Sequence, residues 1–133
     1  MELKYAHIAD YAGDGANGKT IVVGIFDTIN VGQAVPQIVT PPMCVAVVIE
    51  ADVSEGSTHA LKMQFVNEDG VPVVPQIEGT VAFFPGGPTR PMQAKLFLQF
   101  APFPLPKTGD YSFDIFVDQR RIGTLPLYVV RVP

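Results

Sequence analysis

The chain has 133 residues and 14.4 kDa, the size of one ordinary domain, so one compact unit without a second core is expected. Hydrophobic residues make up 47% and charged ones 17%, which excludes intrinsic disorder for most of the length. A net charge of -4, from 9 basic and 13 acidic side chains, offers no electrostatic footprint for a phosphate backbone or an anionic bilayer, so neither nucleic acid nor membrane is an expected partner.

Valine and isoleucine total 27 against 7 leucines, a bias toward stiff β-branched side chains that suit a pleated surface. Thirteen prolines and 12 glycines leave no stretch free of both longer than 13 residues, which gives long helices no room. Period-two alternation between these breakers predicts eight strands. The first is Leu3 to Asp10. Its neighbourhood carries Glu2, Lys4 and His7 and lacks the apolar run of a secretory signal, so a cytoplasmic protein is expected. No apolar stretch approaches the roughly 20 residues that cross a bilayer.

Next comes Gly13-Asp14-Gly15-Ala16-Asn17-Gly18-Lys19-Thr20, which satisfies the phosphate-loop pattern G-x-x-x-x-G-K-[ST]. A true phosphate loop opens a helix whose N-terminus faces the anion. Here Ile21, Val22, Val23, Gly24, Ile25 and Phe26 follow, a β-branched run that predicts the second strand, Thr20 to Val31, and makes the match a glycine-rich turn. Gln33 to Pro42 is a proline-rich excursion. The third strand, Cys44 to Val53, imitates a Walker B strand as it reaches Glu50, but the βαβ units of nucleotide binding are missing. Cys44 has no cysteine partner and reads as an inert core thiol. Glu50 and Asp52 share a face at i and i+2, a spacing that geometry allows for acid-base chemistry, but solubilising charges at a strand end are the far commoner reading.

His59 to Val66 sets Leu61, Met63 and Phe65 against Lys62 and Gln64. Asn67-Glu68-Asp69-Gly70 is a turn sequence, so a hairpin to a fifth strand, Val71 to Glu78, is expected, with Pro72 and Pro75 marking it as an edge. After the excursion Phe84 to Pro91, Gln93 to Phe100 turns Ala94, Leu96, Leu98 and Phe100 inward. Leu105 to Tyr111 then connects to Tyr111 to Val117. This connection resembles the tyrosine corner of immunoglobulin-like and fibronectin-like sandwiches, in which an inward tyrosine bonds its hydroxyl to backbone a few residues upstream; Tyr111 is the structural corner residue in this reading. In the last strand, Ile122 to Val132, a loop around Gln119-Arg120 would pair Val117 with Ile122. That register places Phe116, Leu125 and Leu127 together on the face away from Tyr111 and Phe113, a candidate interface; a bulge at Pro126 would instead turn the leucines inward.

No other constellation points to chemistry. Asp10, Asp14 and Asn17 share one loop and Asn67, Glu68 and Asp69 another, without the D-x-D-x-D-G pattern of a calcium loop. His7 and His59 are the only histidines, too few for a zinc site around a mid-strand Cys44. Ser54, Ser57 and Ser112 sit in a turn, at a strand start and on a polar face, with no base at hand. No catalytic residue, cofactor or metal ligand is assigned.

The segments Ala9-Asp10-Tyr11-Ala12, Gly18-Lys19, Gly24-Ile25-Phe26-Asp27, Gly109-Asp110-Tyr111-Ser112-Phe113 and Val117-Asp118 together resemble a small bacterial family of uncharacterised single-domain β-sandwich proteins, over most of the chain. The resemblance implies a bacterial or phage origin and carries no activity, cofactor or catalytic residue. The expected fold is all-β, a two-sheet antiparallel sandwich, immunoglobulin-like or C2-like, of seven to eight strands. The favoured function is a non-catalytic interaction or assembly module that engages a protein partner or copies of itself as a homo-oligomer. A ligand-binding sandwich for sugar or lipid, although the chain has no tryptophan, and an enzyme of unrecognised class are the alternatives.

Overall fold

The computed structural model describes residues Met1–Pro133. It contains eleven strands and no α-helix: β1 (Glu2–Asp14), β2 (Thr20–Ile25), β3 (Thr28–Gly32), β4 (Ile38–Val39), β5 (Met43–Ala51), β6 (Thr58–Val66), β7 (Ile77–Ala82), β8 (Met92–Phe100), β9 (Pro104–Leu105), β10 (Gly109–Val117) and β11 (Arg120–Val132). One sheet has the order β2-β1-β5-β8, the other β3-β11-β10-β6-β7, and β4 pairs with β9 in a short separate ladder. The fold is therefore an all-β sandwich.

Three expectations change. The stretch Thr20 to Val31 is two strands, because the chain changes sheets at Phe26-Asp27: the Phe26 amide donates to the Ile8 carbonyl in the first sheet (2.9 Å), and the Tyr128 amide donates to the Asp27 carbonyl in the second (2.7 Å). After that crossing β3 runs parallel to β11, so the sandwich is not antiparallel throughout. The expected strand Val71 to Glu78 is mostly loop. Asn67 closes the turn by accepting the amides of Asp69 and Val71 on its side-chain oxygen, and Val66 bridges Pro72. Pro72 and Pro75 each lack an amide donor, and regular pairing with β6 begins only at Ile77, opposite Met63.

The core fills the space between the sheets with twenty-three buried residues, among them Val45, Val47 and Ile49 of β5, Met63 and Phe65 of β6, and Phe113 and Ile115 of β10. The expected alternation of β6 is present, with Leu61, Met63 and Phe65 buried. Tyr111 points inward, stacks on Phe65 with centroids 5.3 Å apart, and donates its hydroxyl to the Lys107 carbonyl at 2.6 Å.

The β10–β11 hairpin corrects the expected patch. Its loop is two residues long: Val117 pairs with Arg120, and Asp118 and Gln119 both adopt positive φ, 50° and 68°. Such a turn follows the twist of the strands, though the usual Asn-Gly signal is absent. Ile122 is then an extra residue, since Phe116 pairs with Arg121 and Ile115 with Gly123. In the resulting register Leu127 lies opposite Tyr111 and Leu125 opposite Phe113, on the core face. Leu127 is fully buried and Leu125 is half-buried against the core. Phe116 remains on the outer face, where the Lys62 ammonium caps its ring 4.4 Å from the centroid. The three side chains form no common patch, and the displacement comes from the turn and its bulge rather than from Pro126.

Candidate interaction surface

Every residue of β5 except Glu50 is buried, on both faces of its sheet. The inner side packs on the core. On the outer side Cys44 and Ala46 lie under Ala12 and Val22 of the β1–β2 hairpin, with Phe97 beside them. The hairpin tip reaches Lys95, whose ammonium donates to the Gly18 carbonyl at 2.7 Å and stands 3.7 Å from Asp14. Because Ala9 pairs with Cys44 whereas Lys95 pairs with Val48, the hairpin has folded back across the outer face and adds a local third layer. Its bend lies at Gly24, where φ is +71° and a Cβ would sit on the Asp10 carboxylate, 3.1 Å from the Asp10 Cβ; only glycine fits. Burial pushes the Cys44 thiol upward, as expected of an inert core cysteine.

The phosphate-loop lookalike forms the tip of this hairpin. The Gly15 amide donates to the Lys19 carbonyl within the loop, at 2.6 Å, and Thr20 starts a strand where a phosphate loop would open a helix.

With Ala12 and Val22 turned inward, the hairpin's other face is left to solvent. Tyr11 and Val23 face each other in the register, Ile21 follows opposite Gly13, and Ile25 lies opposite Ala9. Their exposures are 53% for Tyr11, 45% for Ile21, 52% for Val23 and 58% for Ile25. Exposed apolar residues scattered singly are ordinary, but four in one stripe are not. The stripe borders β2, the end strand of its sheet. No charge or proline lies between Thr20 and Ile25, so the edge lacks the usual guards against strand pairing, Gly24 being its one irregularity. Lys19 and Asp27 flank it, both exposed and neither in an ion pair. A second apolar stripe, Tyr128, Val130 and Val132, is less exposed and lies on the stretch of β11 that pairs with β3.

The polar clusters serve structure. His59 is buried, and both ring nitrogens are committed, Nδ1 to the Asp118 carboxylate at 2.5 Å and Nε2 to the Gly56 carbonyl at 2.8 Å. Both partners are acceptors, an arrangement that favours the doubly protonated ring. The Asp118 bond chiefly raises the His59 pKa above its ordinary value, and the same bond, seconded by the Ala60 amide, lowers that of Asp118. Both ring nitrogens are thus held in structural contacts within the protein. Asp52 caps the 3-10 turn Val53–Glu55 while Glu50 pairs with Lys4 at 3.3 Å, so these two carboxylates serve separate ends. No three His, Cys, Asp or Glu residues converge as a metal set. A cleft of about 770 Å³ opens beside the hairpin bend, with Asp10, Phe26, Thr28, Asn30 and Thr40 in its wall.

Sequence reasoning missed this surface. The signal was present in the uncharged run Thr20 to Ile25, but reading that run within one long strand concealed its position at a sheet edge. No helix is long and apolar enough to cross a membrane. No curated protein and no solved structure matches the chain. Residues 4–130 match the family model DUF6941, and the chain belongs to this family of unknown function.

Proposed function

We propose that the protein is a non-catalytic assembly module that associates with a second copy of itself through the β1–β2 hairpin. The observation that carries this reading is the stripe of Tyr11, Ile21, Val23 and Ile25, each about half exposed, beside an unguarded strand edge. Leaving such side chains in water forfeits about 1.5 to 3 kcal/mol for each relative to full burial, and association recovers part of it. A net charge of -4 opposes self-association only weakly. Static light scattering across a concentration series tests the proposal: the parent protein should show a dimer mass, and Val23→Lys with Ile25→Ser should shift it to monomer with the circular dichroism of the fold unchanged. A parent that stays monomeric at several hundred micromolar overturns it.

A further inference from the structure

β3 is the end strand of the second sheet, and its one partner is β11, in parallel. The Tyr128 amide donates to the Asp27 carbonyl, so by alternation the backbone groups of Ile29 and Val31 serve this ladder and those of Thr28, Asn30 and Gly32 turn away from it. Gly32 is provided for, because its carbonyl accepts from the Val35 amide at 3.2 Å and from the Arg131 guanidinium at 3.0 Å. Thr28 and Asn30 have no strand on that side. They border the cleft of about 770 Å³ instead, a volume within the roughly 300 to 1,000 Å³ of ordinary ligand sites.

The rest of the cleft wall comes from residues 24–26 at the end of β2, from residues 39–41 between β4 and β5, and from Pro102. Ile25 and Val39 are exposed in it, and Asp10 is its one charged residue. The Asp10 carboxylate lies against Gly24, where the missing Cβ leaves it room, and it belongs to no ion pair. Main-chain groups, apolar side chains and one negative charge thus face the same space. An extended peptide with a basic residue complements all three, since its backbone pairs with the strand edge and its alternate side chains turn to the wall. Residues 39–41 and Pro102 enclose the same cleft, so a single chain enters where the edge of a folded sheet would meet them.

We infer that this cleft binds an extended segment of a protein partner as an added strand beside β3, with apolar side chains against Ile25 and Val39 and a lysine or arginine at Asp10. The site goes beyond self-association, because the edge that it uses belongs to the other sheet. Capped pentapeptides of valine and threonine with a central lysine, glutamate or norleucine, titrated into the isotope-labelled full chain, test it by nuclear magnetic resonance. The lysine peptide should shift the amide resonances of Thr28, Asn30 and Val39 saturably and bind about fivefold more tightly than the glutamate peptide. Asp10→Asn should reduce that preference to about twofold or less. Methylating one of the two alternating sets of peptide amides should weaken binding about tenfold, and methylating the other set should not, because a strand at an edge bonds through one side. No saturable shift with any peptide overturns the proposal. Indifference to which set is methylated overturns strand addition, and equal affinity for the lysine and glutamate peptides overturns the role of Asp10. Butylammonium bound as tightly as the lysine peptide would make this a small-amine site and overturn the peptide reading.

Discussion

Replacing Tyr111 with phenylalanine isolates one hydroxyl. The ring of Tyr111 is 3% exposed and stacks on Phe65 with an interplanar angle of 6°, contacts that phenylalanine keeps. What is lost is the 2.6 Å bond to the Lys107 carbonyl, which joins the β9–β10 connection to the core. A short intramolecular hydrogen bond whose acceptor then loses its partner is worth about 1 to 2 kcal/mol. With a urea dependence of about 2 kcal/mol per molar for a domain of this size, the midpoint should fall by roughly 0.5 to 1 M at unchanged slope. Tyr111→Ala removes the ring as well and should cost about 3 to 5 kcal/mol. Urea titrations followed by circular dichroism measure both. A Tyr111→Phe midpoint equal to that of the parent would mean that the hydroxyl exchanges this bond for water without loss, and the hydrogen bond would carry no share of stability.

Leu127→Ala should destabilise the fold by about 2 to 5 kcal/mol and leave the association state unchanged, because Leu127 is buried opposite Tyr111; a lowered mass by light scattering without loss of stability would contradict that placement. The His59 pKa is raised in the folded state, so its stabilisation is complete below the ordinary imidazole value and is lost as pH rises through the folded one, whereas Asp118, lowered by the same bond, contributes above the ordinary carboxylate value and loses its contribution as pH falls. Urea midpoints should therefore decline on both sides of mildly acidic pH, and His59→Gln should remove the alkaline decline; an unaltered profile refutes the ion pair. Lys95→Ala releases the hairpin tip from its contacts to Gly18 and Asp14, so Cys44 should react faster with a thiol reagent under native conditions, and an identical rate would show that the tip does not hold the hairpin down.

Local chemistry was enough to indicate the fold class. The β-branched bias, the spacing of glycine and proline, and the alternation of Leu61, Met63 and Phe65 against Lys62 and Gln64 each follow from the two-residue period of a strand, and the inward ring of Tyr111 follows from its phase with Phe113 and Ile115. The strand after Lys19 was equally legible, since Ile21, Val22 and Val23 disfavour the helix that a phosphate loop requires. Register was not legible. A two-residue turn at Asp118-Gln119 contains no glycine; its positive φ at Asp118 is supported from another strand, by the Ala60 amide, which donates to Oδ1, and by His59. One bulged residue, Ile122, then sent Leu125 and Leu127 to the core instead of the surface. The exposed stripe depended on tertiary structure for the same reason: Ile21, Val23 and Ile25 read as half of an ordinary strand until the bend at Gly24 laid Val22 and Ala12 over Cys44. Alternation specifies which side chains share a face, but the partner laid against each face is chosen by contacts far apart in sequence, and those decided which apolar face of this protein stays in water.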